Sequence, residues 1–165
     1  MVENMPNNNT LVLRSYVPKD LPMIEDFQLS DKDLKFVRTP KENITAALSD
    51  DERYPIVVLR NQQCVAFFTL HCGKGVEPFS DHSGAIFFRS FSVDRRFRNQ
   101  GVGKLVMEKL PSFIAATFQD VNEIVLTVNT DNPHAMTLYR QQGYQYVGDS
   151  VFVGRPVHIM TRILT

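Results

Sequence analysis

The sequence is short of cysteine, of net charge and of long apolar runs, and each shortage excludes a class of protein. Its 165 residues include only two cysteines, Cys64 and Cys72, which are too few for a disulfide framework. No CxxC pair and no closely spaced histidines accompany them, so we predict no metal site. Its 18 basic and 18 acidic side chains cancel, which argues against a surface devoted to binding nucleic acid.

Membrane-spanning and targeting patterns are also missing. No apolar stretch reaches the about 20 residues that a transmembrane helix needs, and residues 1–10 lack the apolar core of a secretory signal. We therefore predict a cytoplasmic protein with neither a membrane nor a nucleic acid as partner. Because no repeat and no Pro/Gly/Ser-rich linker divides the chain, residues 1–165 are predicted to form a single domain, with residues 1–9 as a flexible N-terminus.

What the sequence does contain is a succession of strand and helix patterns. Apolar alternation and β-branched runs predict strands at 11–17, 54–60, 64–72, 85–93, 123–129, 144–153 and 156–163. A capping box, Thr39 with Glu42, predicts a helix from Pro40 to about Leu48. The helical period that begins near residue 101 contains Pro111, so we expect either a kink or two consecutive helices there.

The connections between the strands predict how they pair. Asn61-Gln62 and Gly154-Arg155 are tight links, and each predicts an antiparallel hairpin. Strands 85–93 and 123–129 are instead separated by a helix, which predicts that they run parallel. Asn132 is predicted to be the N-cap of the last helix.

The loop that follows residues 85–93 carries the first candidate chemistry. Four cations fall within ten residues of it: Arg95, Arg96, Arg98 and Lys104. Gly101 and Gly103 let backbone N–H groups approach a ligand where a helix begins, and these amides together with the positive helix end attract phosphate. A dinucleotide fingerprint would need a glycine in place of Val106, and no P-loop is present. The alternative is a solvated basic turn.

The spacing of this loop, Arg98-x-x-Gly101-x-Gly103, resembles the acyl-CoA pyrophosphate motif of the GNAT acetyltransferase superfamily. A second segment, Asn132-x-x-Ala135-x-x-Leu138-Tyr139-x-x-x-Gly143-Tyr144, is similar to another motif of that superfamily. The order of strands and helices is similar over residues 10–163, and the specific motifs lie within 86–144. More weakly, the chain resembles the bacterial diamine and polyamine N-acetyltransferases of the superfamily.

This resemblance implies an α/β (α+β) fold. The implied sheet is mixed and mostly antiparallel, with six to seven strands, a splayed parallel pair formed by strands four and five, and about four flanking helices. Acetyl-CoA would lie in the opening between those two strands as co-substrate, without a metal. By similarity, its site comprises Phe91, Val93, Arg98, Asn99, Gly101, Val102, Gly103, Lys104, Asn132 and Tyr139. The implied activity is the transfer of an acetyl group to a primary amine of a small molecule or peptide, by direct attack in a ternary complex.

Tyr139 is the candidate general acid in this activity. The thiol of CoA has a pKa near ~8.5 and a tyrosine one near ~10, so donation from tyrosine is favoured only where burial raises the pKa of the leaving thiolate.

The proton of the amine also needs an acceptor, and the candidates are His71, Glu77, Asp81 and His82, directly or through water. A backbone N–H on the fourth strand could hold the oxyanion if a bulge there frees one. Cys64 and Cys72 are expected to be buried small apolar residues rather than nucleophiles.

Arg89 and Arg38 are the candidate residues for binding the acceptor. In the fourth strand, Phe87, Arg89, Phe91 and Val93 are expected to share one face, which would make the polar group nearest the reaction a cation. Because the guanidinium group suits a carboxylate or phosphate, we hypothesise an amine that also carries an anionic group, with a polyamine as the competing choice. The alternative is that Arg89 points outward or pairs with Asp81 or Glu77.

Other functions stay open at this point. The chain could be a non-catalytic module of the same fold that binds acyl-CoA and contacts a protein partner, although Tyr139, as the candidate general acid, favours a catalytic role. A homodimer is a further option, formed by pairing of the C-terminal hairpin through Phe152, Val157 and Ile159.

Overall fold

Seven strands form one mixed sheet in the computed structural model, which describes residues 10–164. They are β1 (Val12–Ser15), β2 (Arg53–Arg60), β3 (Gln63–His71), β4 (Ala85–Val93), β5 (Glu123–Asn129), β6 (Gln145–Phe152) and β7 (Arg155–Ile163). Their order in the sheet is β1-β2-β3-β4-β5-β7-β6, in which β4 and β5 are parallel and the other neighbours antiparallel. The predicted fold class is thereby confirmed. The N-terminal segment 1–9 that we predicted to be flexible lies outside the described residues.

The described part of the chain contains five α-helices rather than about four. They are α1 (Leu21–Asp26), α2 (Asp31–Phe36), α3 (Pro40–Ala47), α4 (Val102–Thr117) and α5 (Pro133–Gln141). The short α2 was not predicted, although Ser30 caps it by accepting a hydrogen bond from the Asp33 amide. Helix α3 begins with the predicted capping box of Thr39 and Glu42. Helix α4 continues through Pro111, so the option of two consecutive helices is wrong.

Apolar side chains cover both faces of the sheet. The larger cluster lies under α4, where Val106, Leu110 and Ile114 pack with strand residues such as Phe68 and Ile124. A smaller cluster on the other face contains Val76, Phe87, Val125 and Ile159. Side chains of β4 therefore contribute to two separate cores, and the point where the strand changes face determines which residues meet a ligand.

A β-bulge at Ser90 is that point. Ser90 has a φ of +57°, and between the pairs Phe67–Ser92 and Thr69–Arg89 two residues of β4 oppose one of β3. Beyond the bulge, Phe91 returns to the α4 side, where its ring lies 5.5 Å from that of Phe88. The expectation that Phe87, Arg89, Phe91 and Val93 share one face is therefore wrong. Arg89 stays with Phe87 on the opposite side of the sheet.

The C-terminal hairpin differs from its prediction in two details. Its turn is formed by Val153 and Gly154, which both have positive φ (51° and 74°), so it lies one residue earlier than expected. Val157 and Ile159 are buried, and Phe152 packs edge-on against Phe87. These side chains are therefore not available to pair with another subunit.

Candidate active site

A cleft opens where β4 and β5 separate. The two strands pair only from Ala85 to Phe87 on β4 and then diverge around a space of about 340 Å³. Residues 87–91 of β4 and 126–129 of β5 line it. Arg38, Asn132 and Tyr139 line the same cleft, so the structure brings together candidates that lie far apart in the sequence.

The edge of β4 that faces this cleft carries unpaired backbone groups. The Asp94 N–H donates to the Val65 carbonyl of β3 over 2.9 Å. Because backbone groups alternate in direction along a strand, those of Val93 and Phe91 point to the other edge, where β5 has already diverged. An extended ligand with amide groups can pair with this edge in the way that a further strand would.

The start of α4, beside the cleft, has the geometry of a candidate anion site. Gly101 has a φ of +75°, and no side chain caps the helix. Among residues 10–164, no hydrogen-bond acceptor occupies the amides of Val102 and Gly103. A Cβ added at Gly101 would meet nothing within 4 Å, and one at Gly103 would meet only the Phe91 ring, at 3.7 Å. Free amides, a positive helix end and open space together fit a pyrophosphate.

The cations of this loop divide into two groups. Arg95 and Arg96 are exposed and tie the loop to the C-terminal end of α1 and the segment after it. Arg96 contacts Asp94 at 2.8 Å and Asp26 at 3.1 Å, and Arg95 donates to Gln28. Arg98 and Lys104 remain exposed beside the anion site, with Arg98 donating to Asp33 of α2 at 3.1 Å. Asn99 is exposed and has a φ of +62°.

The buried side chain of Asp94 stabilises the loop between β4 and α4. It is fully buried and accepts hydrogen bonds from the Gln28 amide and from Arg96. Burial by itself would raise the pKa of the Asp94 carboxyl, but the hydrogen bonds from Arg96 and Gln28 hold it below its usual value. The anion site is therefore fixed to the segment that connects α1 and α2.

Tyr139 and Asn132 lie on α5 at the other wall of the cleft. Burial raises the pKa of the Tyr139 hydroxyl to about 12, so the group keeps its proton throughout the neutral pH range. Its ring packs edge-on against Tyr144 at 6.0 Å between centroids. Asn132 caps the helix as predicted, accepting from the Ala135 amide at 3.1 Å.

Arg89 is held in the cleft without a carboxylate partner. Its guanidinium carbon lies 5.5 Å from the ring centre of Phe87 and 5.1 Å from that of Phe152. No acidic side chain of residues 10–164 lies within ion-pair distance, so Arg89 pairs with neither Asp81 nor Glu77. Burial, together with the charges of Arg53 and Arg38, lowers the pKa of Arg89 to about 10. A desolvated cation that lines a cleft in this way is suited to an anionic ligand.

None of the four candidate bases lines the cleft. His71 is buried behind Arg89, and Glu77, Asp81 and His82 are exposed outside it. Within the described lining there is no Asp, Glu or His side chain at all. Cys64 and Cys72 are also absent from that lining, and burial raises the pKa of the Cys64 thiol to about 11.

Two further features are absent from residues 10–164. No three His, Cys, Asp or Glu side chains are grouped so that they could hold a metal ion. No helix in the same range combines the length and apolarity needed to cross a bilayer.

Comparison with known proteins identifies the family of this chain. The model of the acetyltransferase (GNAT) family matches residues 21–144. An uncharacterised N-acetyltransferase of Bacillus subtilis is 35% identical over 133 residues, which is 80% of this chain and 83% of that protein. A spermine/spermidine N(1)-acetyltransferase of the same species is 24% identical over 139 residues, covering 82% and 88% of the two chains.

Solved structures share the fold. An acetyltransferase from Thermus thermophilus superimposes with a TM-score of 0.70 at 21% identity, covering 97% of this chain and all of that one (100%). An aminoglycoside acetyltransferase crystallised with coenzyme A and kanamycin gives a TM-score of 0.75 at 14% identity, covering 93% and 95%. The chain therefore belongs to the GNAT acetyltransferase family and is an acetyl-CoA-dependent N-acetyltransferase.

Proposed function

We propose that the enzyme acetylates a primary amine that also carries an anionic group, such as an amino acid or a peptide terminus. The observation that carries this proposal is the charge of the cleft. Its described lining includes Arg89 and Arg38 but no carboxylate. A polyamine would place further ammonium groups beside these cations, which costs free energy, whereas a carboxylate would compensate the buried charge of Arg89.

The donor fits the other half of the cleft. Acetyl-CoA would lie with its pantetheine arm against the free backbone groups of Phe91 and Val93. Its pyrophosphate would accept hydrogen bonds from the amides of residues 99–104, with Arg98 and Lys104 adding positive charge. Because the Phe91 ring lies next to Gly103, the two sites are continuous. Asn132 then faces the thioester side.

The chemical step is a direct attack. The lone pair of the amine forms a C–N bond to the thioester carbonyl, and the tetrahedral intermediate collapses as the C–S bond breaks. A backbone N–H released by the bulge at Ser90 can hold the oxyanion. Tyr139 donates its proton to the departing thiolate. Burial raises the pKa of Tyr139 to about 12, so the hydroxyl is protonated when the thiolate departs, and the same dry surroundings raise the proton affinity of that thiolate.

A cleft without a basic side chain favours an amine of low pKa. At pH 7, freeing the lone pair of a lysine-like amine (pKa ~10.4) costs about 4 to 5 kcal/mol, but for an α-amino group (pKa ~8) it costs only about 1 kcal/mol. The proton can then leave to water. The α-amine of a short peptide that carries a carboxylate meets both this requirement and the charge of Arg89.

The pH dependence of kcat/KM tests the absence of a base. The acid limb should follow the pKa of the acceptor itself, so a peptide α-amine and a lysine-like amine should give limbs about two pH units apart. Coincident limbs would instead reveal an ionising group of the enzyme. On the alkaline side, Tyr139 must stay protonated to act, and its pKa of about 12 predicts no loss of kcat up to about pH 10 to 11.

The identity of the acceptor is tested by comparing spermidine with a carboxylate-bearing amine. The wild type should prefer the second in kcat/KM, and Arg89→Gln should remove that preference by lowering kcat/KM for this substrate about tenfold to a hundredfold, because a hydrogen bond between charged groups contributes about 1.5 to 3 kcal/mol. Arg140→Gln, which removes an exposed cation of α5 outside the cleft, is the matched control. A wild-type preference for spermidine that survives Arg89→Gln contradicts the proposal.

The proposal also includes a location and an oligomeric state. We propose that the enzyme is located in the cytoplasm. A homodimer also remains part of the proposal, with β6 as the strand at the outer edge of the sheet where it would form.

A further inference from the structure

Three side chains form a chain behind the wall of the cleft. Asp50 lies before β2, His71 ends β3 and Arg89 belongs to β4. The Arg89 Nη1 lies 3.2 Å from His71 Nδ1, and His71 Nε2 lies 3.2 Å from Asp50 Oδ2, off the linear geometry of a hydrogen bond. His71 is only 5% exposed and does not line the cleft in which an acceptor amine would meet the donor.

The partners of His71 define its protonation. An arginine has donors only, so Nδ1 must be the unprotonated nitrogen and Nε2 must carry the hydrogen that faces Asp50. Burial, together with the charges of Arg53 and Arg89, lowers the pKa of His71, although Asp50 opposes this. The ring is therefore a neutral acceptor for Arg89 at neutral pH.

The imidazole is also fixed in position. The backbone of Gly75 packs directly against it, because a Cβ at that residue would lie 2.2 Å from His71 Cγ. On the other side, Arg89 lies over the rings of Phe87 and Phe152, and its buried Nε has no partner among the described residues. One guanidinium nitrogen is thus held by His71, while other donors of the group remain for a ligand.

We infer that His71, held in place by its packing against Gly75, is a positioning residue that holds the Arg89 guanidinium in the orientation needed to bind the anionic group of the acceptor. This inference rests on the proposed function. It assigns His71 a role in acceptor specificity instead of proton transfer. It also explains why a histidine lies at the buried end of β3, where its ring nitrogens lie beside Arg89 and Asp50.

Two conservative substitutions separate the two ring nitrogens. His71→Asn places an amide oxygen near the position of Nδ1 and so keeps an acceptor for Arg89. His71→Gln places its amide near the position of Nε2, which keeps a group facing Asp50 but removes the acceptor for Arg89. The substrates are a short peptide with a free C-terminal carboxylate and the same peptide with a C-terminal amide, which differ in charge. The measured quantity is the ratio of their kcat/KM values.

The expected result is that His71→Gln lowers this ratio about tenfold through the KM of the carboxylate peptide, whereas His71→Asn keeps it within about threefold of wild type. Thermal unfolding of both variants verifies that each is folded.

If Arg89→Gln abolishes the ratio but His71→Gln retains it, the positioning role is wrong and the proposed function stands. If both His71 variants lower kcat/KM equally for the two peptides, the ring is only a structural element and the inference is overturned. If Arg89→Gln leaves the ratio unchanged, the proposed function fails, and the inference fails with it.

Discussion

Replacing Gly103 with valine is expected to abolish CoA binding while the protein stays folded. The open space above the first turn of α4 is where the pyrophosphate lies in our proposal, and a valine side chain would occupy it. The fold should tolerate the change, since an added Cβ meets only the Phe91 ring at 3.7 Å and Gly103 does not have a positive φ. Losing one hydrogen bond to a charged group, at about 1.5 to 3 kcal/mol, weakens affinity about tenfold to a hundredfold, and losing two weakens it about a hundredfold or more.

The measurement is the shift in melting temperature on adding CoA, supported by calorimetric titration. Gly148→Val is the matched control, because Gly148 also has open space around it and no positive φ but lies on β6 away from the cleft. The control should keep the full shift. If the Gly103→Val protein is still stabilised by several degrees, the assignment of the anion site to this loop is wrong.

Tyr139→Phe is expected to lower kcat about a hundredfold and to leave CoA affinity unchanged. The substitution removes only the hydroxyl that, in our proposal, protonates the departing thiolate, and general acid catalysis typically contributes about 10² to 10⁴ in rate. The ring remains to pack against Tyr144. Single-turnover measurements at saturating acetyl-CoA separate this chemical step from product release.

Tyr144→Phe provides the control for the loss of a buried tyrosine hydroxyl. The Tyr144 hydroxyl is buried and has no hydrogen-bond partner among residues 10–164, and burial raises its pKa. Removing an unsatisfied polar group should leave turnover unchanged and increase stability, by a few degrees in melting temperature. A Tyr139→Phe enzyme as active as this control would transfer the acid role to water or to another group.

The parts of the fold with strong local signals were predictable from the sequence. The capping box at Thr39, the N-cap at Asn132 and the strand–helix–strand unit around α4 each follow from residue types at fixed spacing. The position of the cleft follows from the parallel pair. These features depend on contacts close in sequence, which single-residue preferences describe well.

The details that decide acceptor recognition were not predictable. No glycine or proline marks the bulge at Ser90. Regular alternation along β4 therefore predicted that Arg89 shares a face with Phe91 and Val93, which is wrong. Asp50, His71 and Arg89 meet only because β3 and β4 pair with His71 opposite Phe87. The contacts of Arg95 and Arg96 with residues 26–28 join two segments that are distant in the sequence. Tertiary pairing determines each of these contacts.

The bulge in β4 also affects how such an enzyme can evolve. Before it, Phe87 and Arg89 face the side of the sheet assigned to the acceptor, and after it, Phe91 and Val93 face α4 and the donor. A substitution of Phe87 or Arg89 can alter which amine is accepted without disturbing the donor site, because Phe87 belongs to the smaller core, whereas Phe91 and Val93 pack against the core under α4. One strand thereby carries two independently variable surfaces, so that substrate range can diversify while the common donor is retained.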